Sequence, residues 1–324
     1  VEDKIDPSIA RIDAHRARRA AEMMITQSDH DLDQIEDSPL VDFSAMDGNA
    51  IIADFSKWQK KFATAPFDAR GDKLKFFPGG VTIWSGFPGH GKTTILRQMI
   101  CHTLKRGSSV FLASLEEDPR TALHMLCATS AGCANPTGHQ MQWFIDEFHQ
   151  RFRLWNLIGV TRHLRLLATI KKLAAEGIRH AFIDSLMLLD VSNTDLDAQR
   201  EFATLIAALA KSTGVHIHLV AHPRKLISSD QDPDLNDVAG AREIGGIADN
   251  VIFIKRPKNQ ITGPASPVEI LIRKQRHGSG YLGEIGMYYR PDWKQLTAEQ
   301  FTETPIRYLP DDAYLPPGSA TVLE

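Results

Sequence analysis

Cysteine is nearly absent: three residues in 324, Cys101, Cys127 and Cys133, with no Cys-x-x-Cys pair. That excludes a disulfide framework and a cysteine-built zinc ribbon, and it fits packed thiols in a reducing compartment. Long apolar runs are missing too. None approaches the ~20 residues that a membrane-spanning helix needs, so no membrane association is expected. The first residues, Val1-Glu2-Asp3-Lys4, have neither an apolar signal core nor the acid-poor character of a transit peptide, and the cytoplasm is the expected compartment. The chain opens on Val rather than Met, so removal of a preceding segment is expected. An excess of one charge is also lacking: 37 Lys and Arg stand against 40 Asp and Glu, a net charge of −3. Any nucleic-acid binding must therefore come from a local basic patch. A hydrophobic fraction of 43% with 24% charged residues supplies a sizeable core and excludes wholesale disorder, collagen and coiled-coil rods. No internal repeat is visible.

Three stretches are expected along the chain. Residues 1–75 are polar and irregular, with Ile5, Ile9 and Ile12 at helical spacing before Arg16, Arg18 and Arg19, and an acidic linker from Ser28 to Asp33. Residues 76–300 alternate short apolar runs with helical stretches. Strands are predicted at Val81–Ser85, Val110–Leu115, His180–Leu186, Val215–Ala221, Val251–Ile254 and Val268–Ile272. Helices are predicted at Thr94–Lys105, Leu164–Ala175 and Asp197–Lys211. That alternation predicts an α/β fold with a mostly parallel central sheet and helices on both faces. Residues 301–324 form a Pro-rich tail without periodicity, expected to be poorly ordered from Leu309 onward.

The run Gly86-Phe87-Pro88-Gly89-His90-Gly91-Lys92-Thr93 satisfies G-x-x-x-x-G-K-[ST] between an apolar strand and a helix. Its glycines let backbone N–H groups turn toward phosphate oxygens at a helix N-terminus. Lys92 would reach the β- and γ-phosphates, the Thr93 hydroxyl would hold Mg²⁺, and Thr94 continues the nucleotide-binding stretch. The expected substrate is ATP or another NTP. Hydrolysis also needs a second metal contact and a water-activating group. Asp184 ends the apolar strand His180–Ile183 and is the candidate metal acid, although a strand-end aspartate capping the next turn reads the same way. Glu116 and Glu117 end another strand. Both are candidate bases, and both could equally serve a helix N-terminus.

His216, His218 and His222 alternate along one strand face. They fall progressively farther apart, so a metal site is not expected. His222 terminates the strand and suits a hydrogen bond to the γ-phosphate; the other two read as packed core histidines. The late strand ends in Lys274-Gln275-Arg276, which is either a solvated strand end or a pair of cations offered to a phosphate across a subunit boundary.

In this order, the elements resemble hexameric replicative DNA helicases with a RecA-like motor: the DnaB family, the phage primase-helicases and the mitochondrial helicase Twinkle. The resemblance is carried by Gly86–Thr93, Ser114-Leu115-Glu116, Ile183-Asp184-Ser185, His222-Pro223-Arg224-Lys225, Ala248-Asp249-Asn250-Val251 and Lys274-Gln275-Arg276. It implies Glu116 as the catalytic base, with Glu117 in reserve, and His222 as phosphate sensor. It implies that Lys274 and Arg276 act on the neighbouring subunit's nucleotide. Arg256 and Tyr289 match positions that sandwich the base, the latter across a spacing that departs by one residue around Gly278–Tyr281. Asn236, Gly240 and Arg242 match a loop that grips single-stranded DNA. The first 30 or so residues match a linker helix docked on the adjacent subunit, and packing on the chain's own core explains their pattern equally. The implied protein is a ring-forming, hexameric motor moving 5′–3′ on single-stranded DNA, with a primase or loader as partner. The given sequence departs from that resemblance in showing no zinc-ribbon or primase stretch ahead of the motor, and either a free-standing helicase or a piece of a longer protein is expected. The alternatives are a recombinase-type or switch ATPase without unwinding, and a nucleotide-dependent loader module.

Overall fold

A computed structural model describes residues 47–68, 73–191, 195–223, 232–238, 241–257, 265–277 and 280–316. The apolar positions Ile5, Ile9 and Ile12 and the acidic linker lie outside them. The chain divides between Ser56 and Lys57 into two units. Described residues of the first carry the start of helix α1 (Gly48–Gln59), where Ile51, Ile52 and Phe55 are exposed.

The second unit opens with the end of α1 and a short antiparallel pair, β1 (Ala63–Thr64) and β2 (Lys75–Phe76). Strand β3 (Val81–Ser85), helix α2 (Lys92–Lys105) and strand β4 (Val110–Ser114) follow, then helices α3 (Pro119–Ala131) and α4 (Gly138–Phe148). Next come β5 (Phe152–Leu154), α5 (His163–Ala175), β6 (His180–Asp184), α6 (Leu196–Thr213), β7 (His216–Val220) and α7 (Ala241–Ile247). The chain closes with β8 (Asn250–Lys255), β9 (Ser266–Gln275), β10 (Gly283–Arg290) and β11 (Gln295–Thr297).

Nine strands form one sheet in the order β11-β10-β9-β8-β3-β7-β6-β4-β5. The half from β8 to β5 is parallel, and β9 to β11 add an antiparallel flank. Every residue of β3, β4, β6 and β7 is buried. Strands covered on both faces read as continuous apolar runs, which is why they were legible. Successive residues feed opposite faces. Trp84, Phe182 and Val220 join a core with α2, α3 and α4, whereas Ile83, Ile183 and Leu219 join one with α5 and α6. β3 sits between β7 and β8, so the chain leaves it in one direction and returns on its other side. Such a switch point opens a crevice beyond the carboxyl ends of the strands.

Several expectations needed correction. The strand predicted through Leu186 stops at Asp184, and Leu186–Leu188 turn into a short 3₁₀ segment. The strand predicted as Val268–Ile272 runs from Ser266 to Gln275, because it pairs along β8 and β10 at once. Helices α3 and α4 went unpredicted although their signals are present. Asp118 caps α3, accepting from the N–H groups of Arg120 and Thr121 ahead of Pro119, and Thr137 with Gln140 forms a capping box on α4. The expected loose tail from Leu309 is packed through its described part: Leu309 and Ala313 are buried, as is Tyr308 just before it. Gln295 holds this stretch by donating to Thr129 O at 2.6 Å and Ile306 O at 2.8 Å. A side chain at Gly132, the left-handed C-cap of α3, would collide with Pro305. Near the other end, Ala65, Phe67 and Leu74, expected in an irregular stretch, belong to the core.

Candidate nucleotide-binding site

The carboxyl ends of β3, β4, β6 and β7 meet at a pocket of 340 Å³. Pro88, Gly89, Gly91, Lys92, Thr93, Thr94, Glu116, Asp184, His222, Arg256 and Tyr289 line it. Local geometry explains the glycines where they matter. Gly86 has φ 147° and lies so close to the Ile254 carbonyl of β8 that a Cβ would overlap it. Gly91, at φ 98°, is the N-cap of α2. The first N–H groups of that 14-residue helix therefore face the loop, where the helix dipole favours an anion.

Lys92 is buried and donates to Gly86 O at 2.6 Å and Phe87 O at 3.1 Å. Burial lowers its pKa, while Asp184 and Glu116 act in the opposite sense. The Thr93 hydroxyl donates to Asp184 Oδ2 at 2.8 Å. Burial pushes Asp184 up to about 6, against the Thr93 hydrogen bond, and Glu116 and Glu117 raise it further. A buried carboxylate beside two others is a costly charge that a cation would relieve. Glu116 accepts from Ser185 Oγ at 2.6 Å and lies 3.9 Å from His222 Nε2. Glu117 points elsewhere: Arg97 holds both its oxygens at 2.5 Å. Of the two acids, Glu116 alone lines the pocket. On the opposite wall Arg256 lies over the Tyr289 ring at 5.4 Å, and its backbone N–H donates to His90 Nδ1 at 3.2 Å. Phe87 contributes its carbonyl, with its ring against His90 at 5.4 Å.

Lys274 and Arg276 are not in this pocket. Gln275 pairs with Asn250 at the start of β8, whereas the loop touches Ile254 near its end, about 13 Å of strand away. There Lys274 Nζ donates to the carbonyls of Gly245 and Gly246 at 2.9 and 2.8 Å, and Arg276 Nη2 to Gly246 O at 2.9 Å. Burial, and Arg276 beside it, bring Lys274 down to about 8. Both cations thus close the last turn of α7. Of the expected DNA loop, Asn236 falls in a 3₁₀ turn at Leu235–Asp237 and Arg242 in α7. Their side chains, Gly240, Arg224 and Lys225 lie outside the described residues. His216 and His218 are buried and hydrogen-bonded, as expected of core histidines.

Two residues of this site went unassigned from sequence. Ser185, which follows the metal-acid candidate, reaches Glu116. Arg97 sits four residues after Thr93 on the same face of α2, and that i, i+4 spacing was a usable signal.

The fold and this pocket define a RecA-like P-loop NTPase. The DnaB-like helicase C-terminal domain model matches residues 74–298, and the chain belongs to that family. It is 24% identical over 255 residues to the Twinkle homolog protein, chloroplastic/mitochondrial, of Arabidopsis thaliana, covering 71% of this chain. The chain spans about a third, 35%, of that relative's length. Among solved structures, an isolated ATPase domain superposes with a TM-score of 0.63 at 16% identity, over 78% of this chain and 99% of that one. A DnaB-like replicative helicase, solved for its interactions with primase, superposes at 0.61 and 16% identity, over 89% and 76%. No helix among the described residues is long and apolar enough to cross a membrane.

Proposed function

We propose that the chain is the motor of a replicative DNA helicase, a ring of subunits, six by family analogy, that hydrolyses ATP or another NTP and moves 5′–3′ along single-stranded DNA. One observation carries the reading. Lys92, Thr93, Glu116 and Asp184 line one pocket, while Lys274 and Arg276 stand at the other end of β8, about 13 Å of strand away. On this reading, a second copy offers its own Lys274 and Arg276 to the pocket as the cations that phosphoryl transfer needs.

Thr93 and Asp184 fit Mg²⁺: both offer hard oxygens, and this ion is typically held by one or two protein ligands with the remaining positions left to phosphates and water. The ion would neutralise charge on the β- and γ-phosphates. Glu116, kept in place by Ser185, draws a proton from the attacking water. His222, between Glu116 and the phosphates, changes partners when the γ-phosphate leaves. Lys92 and the α2 N-terminus hold the phosphates, and Arg256 and Tyr289 enclose the base. Asn236, Gly240 and Arg242 grip the DNA backbone. A primase or loader is the expected further partner. A reducing compartment such as the cytoplasm suits Cys101, whose thiol burial pushes up to about 12 and leaves inert.

Arg276→Ala should retain nucleotide and lose turnover by roughly 10³ to 10⁵, the scale of trans-acting arginines. Mixing is the decisive test. Arg276→Ala and Glu116→Gln proteins are each inactive, yet mixed rings contain interfaces with both groups intact and should regain hydrolysis. Mixed rings as inactive as either parent would remove the ring motor, and a protein that hydrolyses normally without unwinding a forked duplex would favour the switch ATPase.

A further inference from the structure

A second cavity opens at the other end of the sheet, where the parallel strands begin. It measures 470 Å³, more than the nucleotide pocket and within the range of small-molecule sites. Lys61, Phe76, Ser108, Arg179, His180 and His216 are among its walls. His180 and His216 are the first residues of β6 and β7.

The protons on these rings can be traced from a fixed donor. An indole N–H can only donate, and that of Trp84 meets His218 Nδ1 at 3.2 Å. His218 therefore carries its proton on Nε2, which lies 3.3 Å from His180 Nδ1. His180 accepts there, so its own proton is on Nε2. Burial keeps both rings neutral, holding His180 down to about 3 and His218 well below its ordinary value. No described group accepts from His180 Nε2, although the residue is only 6% exposed and lines the cavity. His216 differs. Its Nδ1 donates to Phe77 O at 2.7 Å and its Nε2 accepts from Thr82 Oγ1 at 2.8 Å, so both nitrogens serve the fold.

An N–H that opens on a cavity is satisfied by whatever fills the cavity, water or an anion. Around this one stand the exposed ammonium of Lys61 and guanidinium of Arg179, and the Ser108 hydroxyl. Arg179 makes only long contacts of 3.4 and 3.3 Å from Nη1 to Ala174 O and Ile178 O, leaving its other donors available. No carboxylate lines the space among the described residues. The donor set wants an anion. The geometry points to a second ligand site for a phosphate-bearing small molecule, its phosphate on Lys61, Arg179 and His180 Nε2–H and any apolar part against Phe76. The site is independent of the nucleotide pocket. His216 starts β7 and His222 lies two residues beyond its end, about 20 Å away along the chain.

Calorimetric titration of the full chain with inorganic phosphate, and separately with AMP, tests this. Wild type and Lys92→Ala, which lacks the main cation of the nucleotide pocket, should both bind one equivalent saturably at the second site. Adding Arg179→Gln and Lys61→Gln to either should weaken that binding roughly tenfold or more, the scale of lost charge-assisted hydrogen bonds. Both are surface substitutions, so they do not put the fold at risk as a change at His180 would. Tighter binding of phosphate assigns the site to the free anion; tighter binding of AMP assigns it to a nucleotide-borne phosphate. Absence of saturable binding in Lys92→Ala, or equal affinity with and without the two cations, overturns the proposal.

Discussion

The two ends of one sheet handle buried polar groups in opposite ways. At the carboxyl ends, Lys92, Asp184, Glu116 and His222 are ionisable, close together and incompletely paired, with Asp184 pushed up to about 6. At the starts of the same strands, Asn250 donates to Thr82, Thr82 meets His216, and Trp84 connects through His218 to His180, all without charge. A neutral network rigidifies a core at little electrostatic cost even where single atoms such as Asn250 Oδ1 stay unpaired. Buried charges without full compensation cost far more, and they persist where a charged ligand supplies the missing partner. The contrast separates groups arranged for chemistry from groups arranged for packing.

Substitutions at each end should break different properties. Within the nucleotide pocket itself, the largest effect is expected at Glu116. Glu116→Gln should bind nucleotide as before and lose roughly 10² to 10⁴ in kcat, the usual contribution of a general base. Glu117→Gln, which weakens the pair with the buried Arg97 but leaves the pocket lining unchanged, should keep kcat within a few fold of wild type. Single-turnover hydrolysis distinguishes them, and the reverse order would mean that the wrong acid carries the reaction.

Ser185→Ala comes next. It removes the 2.6 Å hydrogen bond to Glu116 without touching the phosphates. The expected loss is about tenfold in kcat at unchanged KM, in line with one hydrogen bond to a charged group. At the other end, Thr82→Val removes the partner of His216 Nε2 and leaves the Asn250 amide with only its longer bond to Lys75 O. It should cost about 1 to 3 kcal/mol of stability by denaturant unfolding and leave kcat alone. A Thr82→Val protein of normal stability and impaired kcat would erase the distinction between the two ends.

The smallest effect near neutrality is a pH dependence. His216 and His180 have folded values lowered from 6.5 to about 4 and about 3 by burial. Between these values and 6.5 the unfolded chain binds more protons, so stability falls as pH falls through that window. Asp184, raised from 3.8 to about 6, acts in the opposite sense over its own narrower range. With several lowered rings, His102 and His218 included, against one raised acid, the melting temperature should drop on going from pH 7 to pH 5. A flat profile would mean that the histidine network takes up protons without loss.

The nucleotide loop was legible because its pattern is local: Gly86, Gly91, Lys92 and Thr93 are fixed by one strand, one turn and one helix. The parallel strands were legible because burial on both faces leaves long apolar runs such as Val81–Trp84 and His180–Ile183. Missed elements had local signals as well, since Asp118-Pro119 and Thr137 with Gln140 are ordinary helix starts. The tail was misread for another reason. Proline blocks regular structure, which the chain shows, but it does not prevent packing, and Tyr308 and Leu309 are held by partners as distant as Ser130.

By itself, the sequence determined the class of chemistry, since phosphate binding needs only a short glycine-rich turn at a helix start. It also determined the strand and helix alternation that makes the sheet. Tertiary structure alone decided which of two adjacent acids faces the pocket, because Arg97 claims Glu117 and Ser185 holds Glu116. It alone decided that Lys274 and Arg276 end about 13 Å of strand away from the loop, because β9 runs antiparallel to β8. It also turned two strand histidines and a tryptophan into a one-way chain of donors ending at a cavity. Such facts depend on which strands become neighbours and in what direction, and that is settled by the packing of residues far apart in the chain.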